Sequence, residues 1–177
     1  MSDRQIFGGE HEHTVSVLVY NKPGVLRKIA GLFSRRGFNI SSITVGDGKD
    51  PGLSRLTIVV TGDDKVIEQI QKQLYKVVEV VKVSPIDPKH RVEREMALVK
   101  VRLDGGEKIE LLQLVEIFRG KIIDVSNEGV IVEITGATSK VEAFIKLLAS
   151  SHKIVEIART GKVAMNRWES SYNEEGS

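Results

Sequence analysis

Cysteine is absent from this sequence, and several other features are scarce. Without cysteine there are no disulfide bonds, cysteine nucleophiles or thiolate metal sites. Lys and Arg number 26 against 24 Asp and Glu, so a general nucleic-acid or anionic-membrane surface has little support. No apolar run approaches the roughly 18–20 residues that span a bilayer. The first ten residues match neither a secretory signal nor a transit peptide. We therefore expect a cytoplasmic protein that binds neither membrane nor nucleic acid.

The first half of the chain alternates between strand and helix patterns. β-Branched segments with alternating apolar residues predict strands, and apolar residues three and four apart predict helices with one buried face. Pro23 suits the first helical position, where its missing N–H would be unpaired. Gly37 suits the helix end, and Asp63 or Asp64 can cap the second helix. The predicted elements are strand His13–Tyr20, helix Pro23–Arg36, strands Phe38–Val45 and Leu53–Thr61, a helix after Asp64, and strand Val77–Val83.

The second half repeats the same order more loosely. The predicted hairpin turns at Ser126–Gly129, a sequence rich in turn-forming residues. The predicted elements are strand Met96–Leu103, helix Lys108–Phe118, strands Ile122–Val125 and Val130–Thr135, helix Val141–Ala149 and strand Ile154–Ala158.

Two β-α-β-β-α-β units in succession predict an α+β protein with two tandem ferredoxin-like βαββαβ domains. The segment between them contains two of the four prolines and many charges, which is typical of a linker. The last residues are polar and are predicted to fray. The predicted organisation is an N-terminal tail 1–13, a domain 14–84, a linker 85–95, a domain 96–165 and a C-terminal tail 166–177.

No arrangement of residues typical of a catalytic site is present, so no catalytic residue is assigned. His11 and His13 could lie on one face of a strand and bind a metal, but a solvated tail is the favoured interpretation and no metal site is assigned. His90 and His152 stand alone. The loop GDGKDPG lacks the spacing of phosphate-binding loops.

The segment from Asn21 to Leu26 joins the first strand to the first helix and carries the main functional signal. The first N–H groups of a helix have no intrahelical partners, and the helix dipole favours an anion there. Gly24 would let a ligand approach the backbone, and the amides of Asn21 and Asn39 can donate and accept toward a zwitterion. On spacing alone, an ordinary strand-to-helix turn is somewhat favoured over a ligand site.

The run VSVLVYNKPGVLRKIAGLFSRRGFNISSITVG resembles the ACT domain of acetohydroxyacid synthase small subunits. Those domains read as a strand, N-x-x-G-x-L, GLFS-x-RG-(Y/F)-NI and another strand. The stretches EREMALVKV and EIFRGKIIDV resemble the same family outside the ACT unit. The matching motif positions are Asn21, Gly24, Leu26, Gly31–Ser34 and Arg36–Ile40.

The resemblance implies an N-terminal ACT domain, a C-terminal ACT-like domain and a homodimer formed through the ACT domains. A branched-chain amino acid, most often valine, would bind at that interface. The subunit would have no catalytic activity of its own, would activate a large catalytic subunit and would make it subject to feedback inhibition in valine, leucine and isoleucine synthesis. Thiamine diphosphate, Mg²⁺ and FAD would belong to that partner, with no cofactor on this chain.

Residue by residue, the resemblance makes Asn21, Gly24 and Asn39 the first candidates for ligand contacts. Lys22-Pro23 replaces a more polar pair seen in some relatives, and Pro23 removes one backbone donor. Which branched-chain amino acid binds stays open. The neighbours that would add backbone or apolar contacts are Lys22, Pro23, Val25, Leu26 and Ile40.

Two other functions remain as alternatives. One is an ACT-type amino-acid sensor that acts on a different partner. The other is an RNA-binding module, because the RRM has the same βαββαβ order. An RRM stacks bases on aromatic side chains of its central strands. Here Leu53–Thr61 contains no aromatic residue and the first strand has only Tyr20, so the RNA alternative is the weaker.

Overall fold

A computed structural model of the protein describes residues 11–103 and 108–168. The predicted N-terminal tail therefore lies outside these residues up to position 10, and the predicted C-terminal tail from position 169. The elements in chain order are β1 (His11–Tyr20), α1 (Val25–Arg35), β2 (Asn39–Asp47), β3 (Leu53–Gly62), α2 (Asp64–Leu74), β4 (Val80–Ile86), β5 (Arg91–Arg102), α3 (Lys108–Ile117), β6 (Lys121–Val125), β7 (Gly129–Gly136), α4 (Thr138–Ser151), β8 (Lys153–Arg159) and β9 (Val163–Asn166).

The chain divides into two compact units. The N-terminal unit contains residues 1–92 and takes up the chain again from Ala164, whereas the C-terminal unit contains 93–163. Each unit has the βαββαβ order, which confirms the predicted α+β fold with tandem ferredoxin-like domains.

In the N-terminal unit the sheet order is β2-β3-β1-β4, so β1 and β3 are central and β2 and β4 are edges. The antiparallel register sets Val15 opposite Ile58 and Val17 opposite Leu56. These four side chains are at most 2% exposed and face the helices, as period-two alternation requires. Ile29 and Phe33 of α1 and Ile70 and Leu74 of α2 complete this core.

The starts of the two helices in this unit follow from a capping side chain at α2 and a turn before α1. Asp63 caps α2, because its side chain accepts a hydrogen bond from the Val66 N–H at 3.1 Å. The prediction that Pro23 is the first residue of α1 is wrong, since the helix begins at Val25 after a left-handed Gly24. Pro23 instead occupies a turn that precedes the helix.

The C-terminal unit repeats the arrangement with the sheet order β6-β7-β5-β8, and β9 also pairs with β5. Its core is formed by alternate residues of β5 and β7 and by one face of α3 and α4. Gly129 is the first residue of β7, next to β5. A Cβ at this position would lie 2.0 Å from the Val101 carbonyl oxygen, so the close approach of the two strands excludes a side chain.

Two segments differ from the sequence prediction. The predicted linker 85–95 contains the end of β4 and the first half of β5, and the predicted tail from 166 begins inside β9. The first half of β5 is rich in charged residues, which is why its composition resembles that of a linker. Two of its carboxylates, however, are paired with cations. Glu93 lies 3.6 Å from Lys162, and Glu95 binds Arg159. Paired charges are tolerated in a buried strand.

Within residues 11–103 and 108–168, no helix has the length and apolar character needed to cross a membrane.

Candidate functional site

The turn between β1 and α1 has the geometry that its sequence encodes. The Val25 N–H donates to the Lys22 carbonyl oxygen at 3.3 Å, which closes a four-residue turn. Pro23 is the second residue and Gly24 the third, with φ 87° and ψ −8°. These angles define a type II turn, which favours proline and glycine at these two positions. Backbone geometry alone therefore explains Pro23 and Gly24.

The start of α1 presents backbone donors. No side chain caps this helix, and its first hydrogen bonds run from Val25 to Lys22 and from Lys28 to Gly24. In the described part of the chain, the N–H groups of Leu26 and Arg27 have no such partner. Unpaired donors at the positive end of a helix dipole suit a carboxylate.

A pocket of about 80 Å³ lies beside this turn. Of the predicted ligand residues, Asn21, Val25 and Leu26 line it, together with Lys22. Its walls are mainly apolar and its rim is open. The five other lining residues, which the sequence did not identify, are Val19, Tyr20, Val45, Ser54 and Leu56.

The rim of this pocket is unusually apolar for a free surface. Tyr20, Leu26 and Val45 are each 48% exposed. Lys22 places its ammonium 5.5 Å from the centre of the Tyr20 ring, a cation–π contact at the same rim. An apolar rim around a small open pocket is a feature of surfaces that another molecule covers.

The other predicted residues do not line this pocket. Asn39 begins edge strand β2 opposite Thr61, and Ile40 lies opposite Val60 and packs against the core. Pro23 belongs to the turn, and Gly24 borders a separate depression along α1. The chain alone therefore brings together only part of the predicted set.

Strand register explains the residues that were missed. Val19 pairs with Ser54 and Leu56 pairs with Val45, so adjacent strands bring these side chains to one end of the sheet. Alternation along each strand was visible in the sequence, but the pairing between strands was not.

An ion pair joins α1 to the residue that directly precedes β4. Lys28 binds Glu79. The hydrogen bond from Lys28 is the main cause that holds the pKa of Glu79 below its usual value. This contact lies on the side of α1 away from the pocket, next to the depression that Gly24 borders.

His11 and His13 lie in β1 rather than in a tail. The His13 Nε2 atom is 3.2 Å from the Gly62 carbonyl oxygen and 4.0 Å from the Asp64 carboxylate. Across residues 11–103 and 108–168, no three His, Cys, Asp or Glu side chains are grouped as metal ligands.

The sheet face opposite the helices bears on the RNA alternative. Thr14, Ser16, Thr57 and Val59 of the central strands are at most 7% exposed. On the same face Arg55 donates to the carbonyl oxygen of Ala164 at 3.2 Å, so the returning C-terminal segment covers part of it. Bases need an open face with several aromatic residues. Here the middle of the face is buried, and Tyr20 at the end of β1 is the one Phe, Tyr or Trp on the two central strands.

Comparison with known proteins then decides the family. Residues 15–82 match the AHAS small subunit-like ACT domain, and residues 94–168 match the family described as the small subunit of acetolactate synthase, which is another name for acetohydroxyacid synthase. The chain belongs to the acetolactate synthase small-subunit family. The predicted resemblance is thus confirmed.

Relatives in this family are similar over most of their length. A probable acetolactate synthase small subunit of Archaeoglobus fulgidus is 54% identical over 156 residues, which cover 88% of this chain and 97% of the relative. The isozyme 3 small subunit of Salmonella typhimurium is 47% identical and is covered to 94%. The crystal structure of the acetolactate synthase small subunit of Thermotoga maritima superposes with a TM-score of 0.85 at 71% identity, covering 90% of this chain and 99% of that chain.

Proposed function

We propose that this chain is the regulatory subunit of an acetolactate synthase and binds a branched-chain amino acid, with valine as the first candidate. Membership of the small-subunit family supports the role. The observation that carries the ligand proposal is the start of α1, where unpaired N–H groups adjoin the small apolar pocket.

The pocket chemistry matches the parts of such an amino acid. Its carboxylate would accept from the Leu26 N–H at the helix start. The Asn21 side-chain carbonyl would accept from the ammonium group. The isopropyl group would pack on Val25 and Val45. Because valine, leucine and isoleucine differ by about one methylene, worth ~1–3 kcal/mol, relative affinity is an outcome of measurement.

A second copy of the chain would complete this site. About 80 Å³ is small against the roughly 300–1,000 Å³ of typical ligand sites. The half-exposed Leu26 and Val45 at the rim would be covered in an ACT dimer. Asn39 and Ile40, which lie outside the pocket of one chain, would contribute in such a dimer from edge strand β2.

The proposed partner is a separate catalytic large subunit, because the relatives are named as small subunits. That partner would carry thiamine diphosphate, Mg²⁺ and FAD, and this chain would supply no cofactor. Binding of the amino acid would favour one state of the ACT dimer, and the shift is limited by its differential affinity for the two states.

The test is reconstitution with the catalytic large subunit. We expect the chain to raise the activity of that subunit and valine to lower it again. Asn21→Ala should weaken valine binding by about tenfold, the usual cost of a lost hydrogen bond to a charged group, while activation persists. Calorimetry on the free chain measures the binding.

Gln69→Ala is the matched control, because it removes an exposed amide on α2, away from the pocket. An Asn21→Ala variant with unaltered valine affinity would overturn the site. If the chain binds valine but leaves the large subunit unaffected, it is an amino-acid sensor for another partner.

A further inference from the structure

A second pocket lies in the C-terminal unit, on the face of the sheet opposite its helices. It measures about 180 Å³ and sits where the β6–β7 hairpin turns. Val99, Val101 and Val130 point into the core, so the alternate residues Lys100 and Ile131 point to the opposite face. The register sets Ile131 between Lys100 and Asp124 in one row across three strands.

Charges of both signs surround this pocket. Lys100 and Arg102 stand on β5, Asp124 stands on β6, and Glu128 lies in the hairpin turn. All four side chains are exposed. Within residues 11–103 and 108–168, none of the four forms an ion pair with another charged side chain. The two cations and two carboxylates thus border one concavity without neutralising each other.

The floor of the pocket is apolar and its turn is fixed. The side chains of Ile131 and Val155 line it. Val155 stands at a register shift between β5 and β8, where a bulge turns an additional side chain out of the ladder. The Ser126 hydroxyl is used inside the turn, accepting from the N–H groups of Glu128 and Gly129 at 3.2 Å. The lining is therefore held in place by the hairpin.

The N-terminal unit provides an internal comparison. Leu18 occupies the position equivalent to Lys100, at the corresponding register shift, and Tyr20 the position equivalent to Arg102. The partner of Leu18 across the sheet is Arg55, which binds a backbone carbonyl. The mixed charges are thus specific to the C-terminal unit and are not required by the fold.

We propose that this C-terminal pocket binds a small zwitterion with an apolar side chain, in the chemical class of the α-amino acids. Lys100 and Arg102 attract the carboxylate, Asp124 and Glu128 attract the ammonium group, and Ile131 and Val155 contact the side chain. At about 180 Å³ the pocket is below the roughly 300–1,000 Å³ of sites for drug-sized ligands, but it exceeds the ~150 Å³ of an engineered apolar cavity that holds benzene, a molecule close in size to valine. This site lies in a different unit from the α1 pocket and does not depend on the proposed function.

The experiment is a titration of the full-length chain carrying Asn21→Ala, followed by amide NMR. Valine and alanine present both a carboxylate and an ammonium group. Isovalerate presents the carboxylate alone, and isobutylamine presents the ammonium group alone. We expect valine to shift the N–H signals of Lys100 and Ile131 with saturation, and the single-charge probes to bind at least about tenfold more weakly.

Matched variants assign the site. Lys100→Met and Asp124→Asn should each weaken valine binding by about tenfold, since each removes one charge–charge contact. Lys146→Met on α4 and Glu116→Gln on α3 remove the same charges outside the pocket and should leave it unchanged. The proposal is overturned if no probe shifts these signals, or if isovalerate or isobutylamine binds as well as valine.

The two proposals fail separately. If Asn21→Ala, as the one substitution in the chain, leaves valine affinity unchanged, the α1 pocket is contradicted. If Lys100→Met and Asp124→Asn leave valine binding in the Asn21→Ala chain unchanged, the C-terminal pocket is contradicted.

Discussion

Glu95 is a charged residue in the interior of the C-terminal unit, at 5% exposure. Arg159 donates to both of its oxygens, from Nε at 2.6 Å and from Nη2 at 2.9 Å. This bidentate hydrogen bonding is the main cause that lowers the pKa of Glu95, against burial, which raises it. The Glu95 carboxylate therefore stays ionised in the folded protein at pH values where it would be protonated in the unfolded chain.

The pH dependence of stability follows from that direction. The folded pKa of Glu95 lies below its unfolded value, so the stabilisation is present above the unfolded value and is lost as pH falls through the folded one. At neutral pH, Arg159→Ala should lower the free energy of unfolding by about 2 kcal/mol, as for a hydrogen bond to a charged group. The difference should shrink on acidification through the lowered pKa.

Urea denaturation at neutral and acidic pH measures this effect. Arg159→Lys keeps the charge but loses the bidentate geometry, so an intermediate loss is expected. A loss that is the same at every pH would contradict a role for the ionised Glu95 in this pair.

Residues at the start of α1 also show what sequence alone could predict. The positions of Asn21, Gly24 and Leu26 near a helix start were predictable, because turn chemistry is local. Val45, Ser54 and Leu56 were not, since their approach to Leu26 depends on strand pairing. The predicted start of α1 at Pro23 was two residues too early, because proline is favoured both as the first residue of a helix and as the second residue of a turn.

At the scale of elements, α3 differs from the other helices because apolar residues surround it. Leu111 and Val115 are buried, whereas Ile109 is 71% exposed and Ile117 is 73% exposed. By contrast, α1 and α2 carry mainly charged or amide side chains on their outer faces. A helix that is apolar all round normally has cover on more than one side.

The two sides of α3 should differ in their contribution to stability. Leu111→Ala should lower the free energy of unfolding by about 2–5 kcal/mol, because it leaves a cavity in the core. Ile109→Ala should change it by less than about 0.5 kcal/mol, as is usual at exposed positions. Chemical denaturation of both variants at the same protein concentration checks this.

A large loss for Ile109→Ala that grows with protein concentration would contradict the expectation. It would show that the outer face of α3 is covered when chains associate.

Elements with a clear period were predicted well, and those with mixed signals were not. The prediction for α1 was Pro23–Arg36 and the helix spans Val25–Arg35, because its apolar stripe is unambiguous. The first half of β5 was hidden by four charges in Arg91–Glu95, of which Glu93 and Glu95 are paired with Lys162 and Arg159. Strand β9 is four residues long, too short for alternation to identify it.

At the scale of the whole molecule, the N-terminal unit is discontinuous in sequence. After residue 163 the chain returns to it, and Asn166 and Arg167 make the connection. The Asn166 side chain donates to the Pro85 carbonyl oxygen at 3.1 Å and accepts from the Asp87 N–H at 2.9 Å. The Arg167 N–H donates to the His90 carbonyl oxygen at 2.7 Å.

Asn166→Ala should loosen the N-terminal unit locally. Both side-chain hydrogen bonds are lost, each worth about 0.5–1.5 kcal/mol. We expect faster hydrogen exchange at the Asp87 N–H and unaltered exchange in the core strands of the C-terminal unit. Met165→Ala is the control, because that neighbouring side chain is 56% exposed. Equal exchange at Asp87 in both variants would show that the Asn166 contact carries no stability.

This discontinuity has a consequence for the order of events during biosynthesis. Residues 1–92 leave the ribosome first, yet the segment from Ala164 that completes their unit is made only after all of 93–163. At roughly 5–20 residues per second this is a delay of several seconds. During that interval the sheet face around Arg55 lacks the segment that covers it, and at its end the C-terminal unit has its whole sequence while the N-terminal unit does not. The N-terminal unit is thus completed last, and factors that bind nascent chains would have access to its sheet face around Arg55.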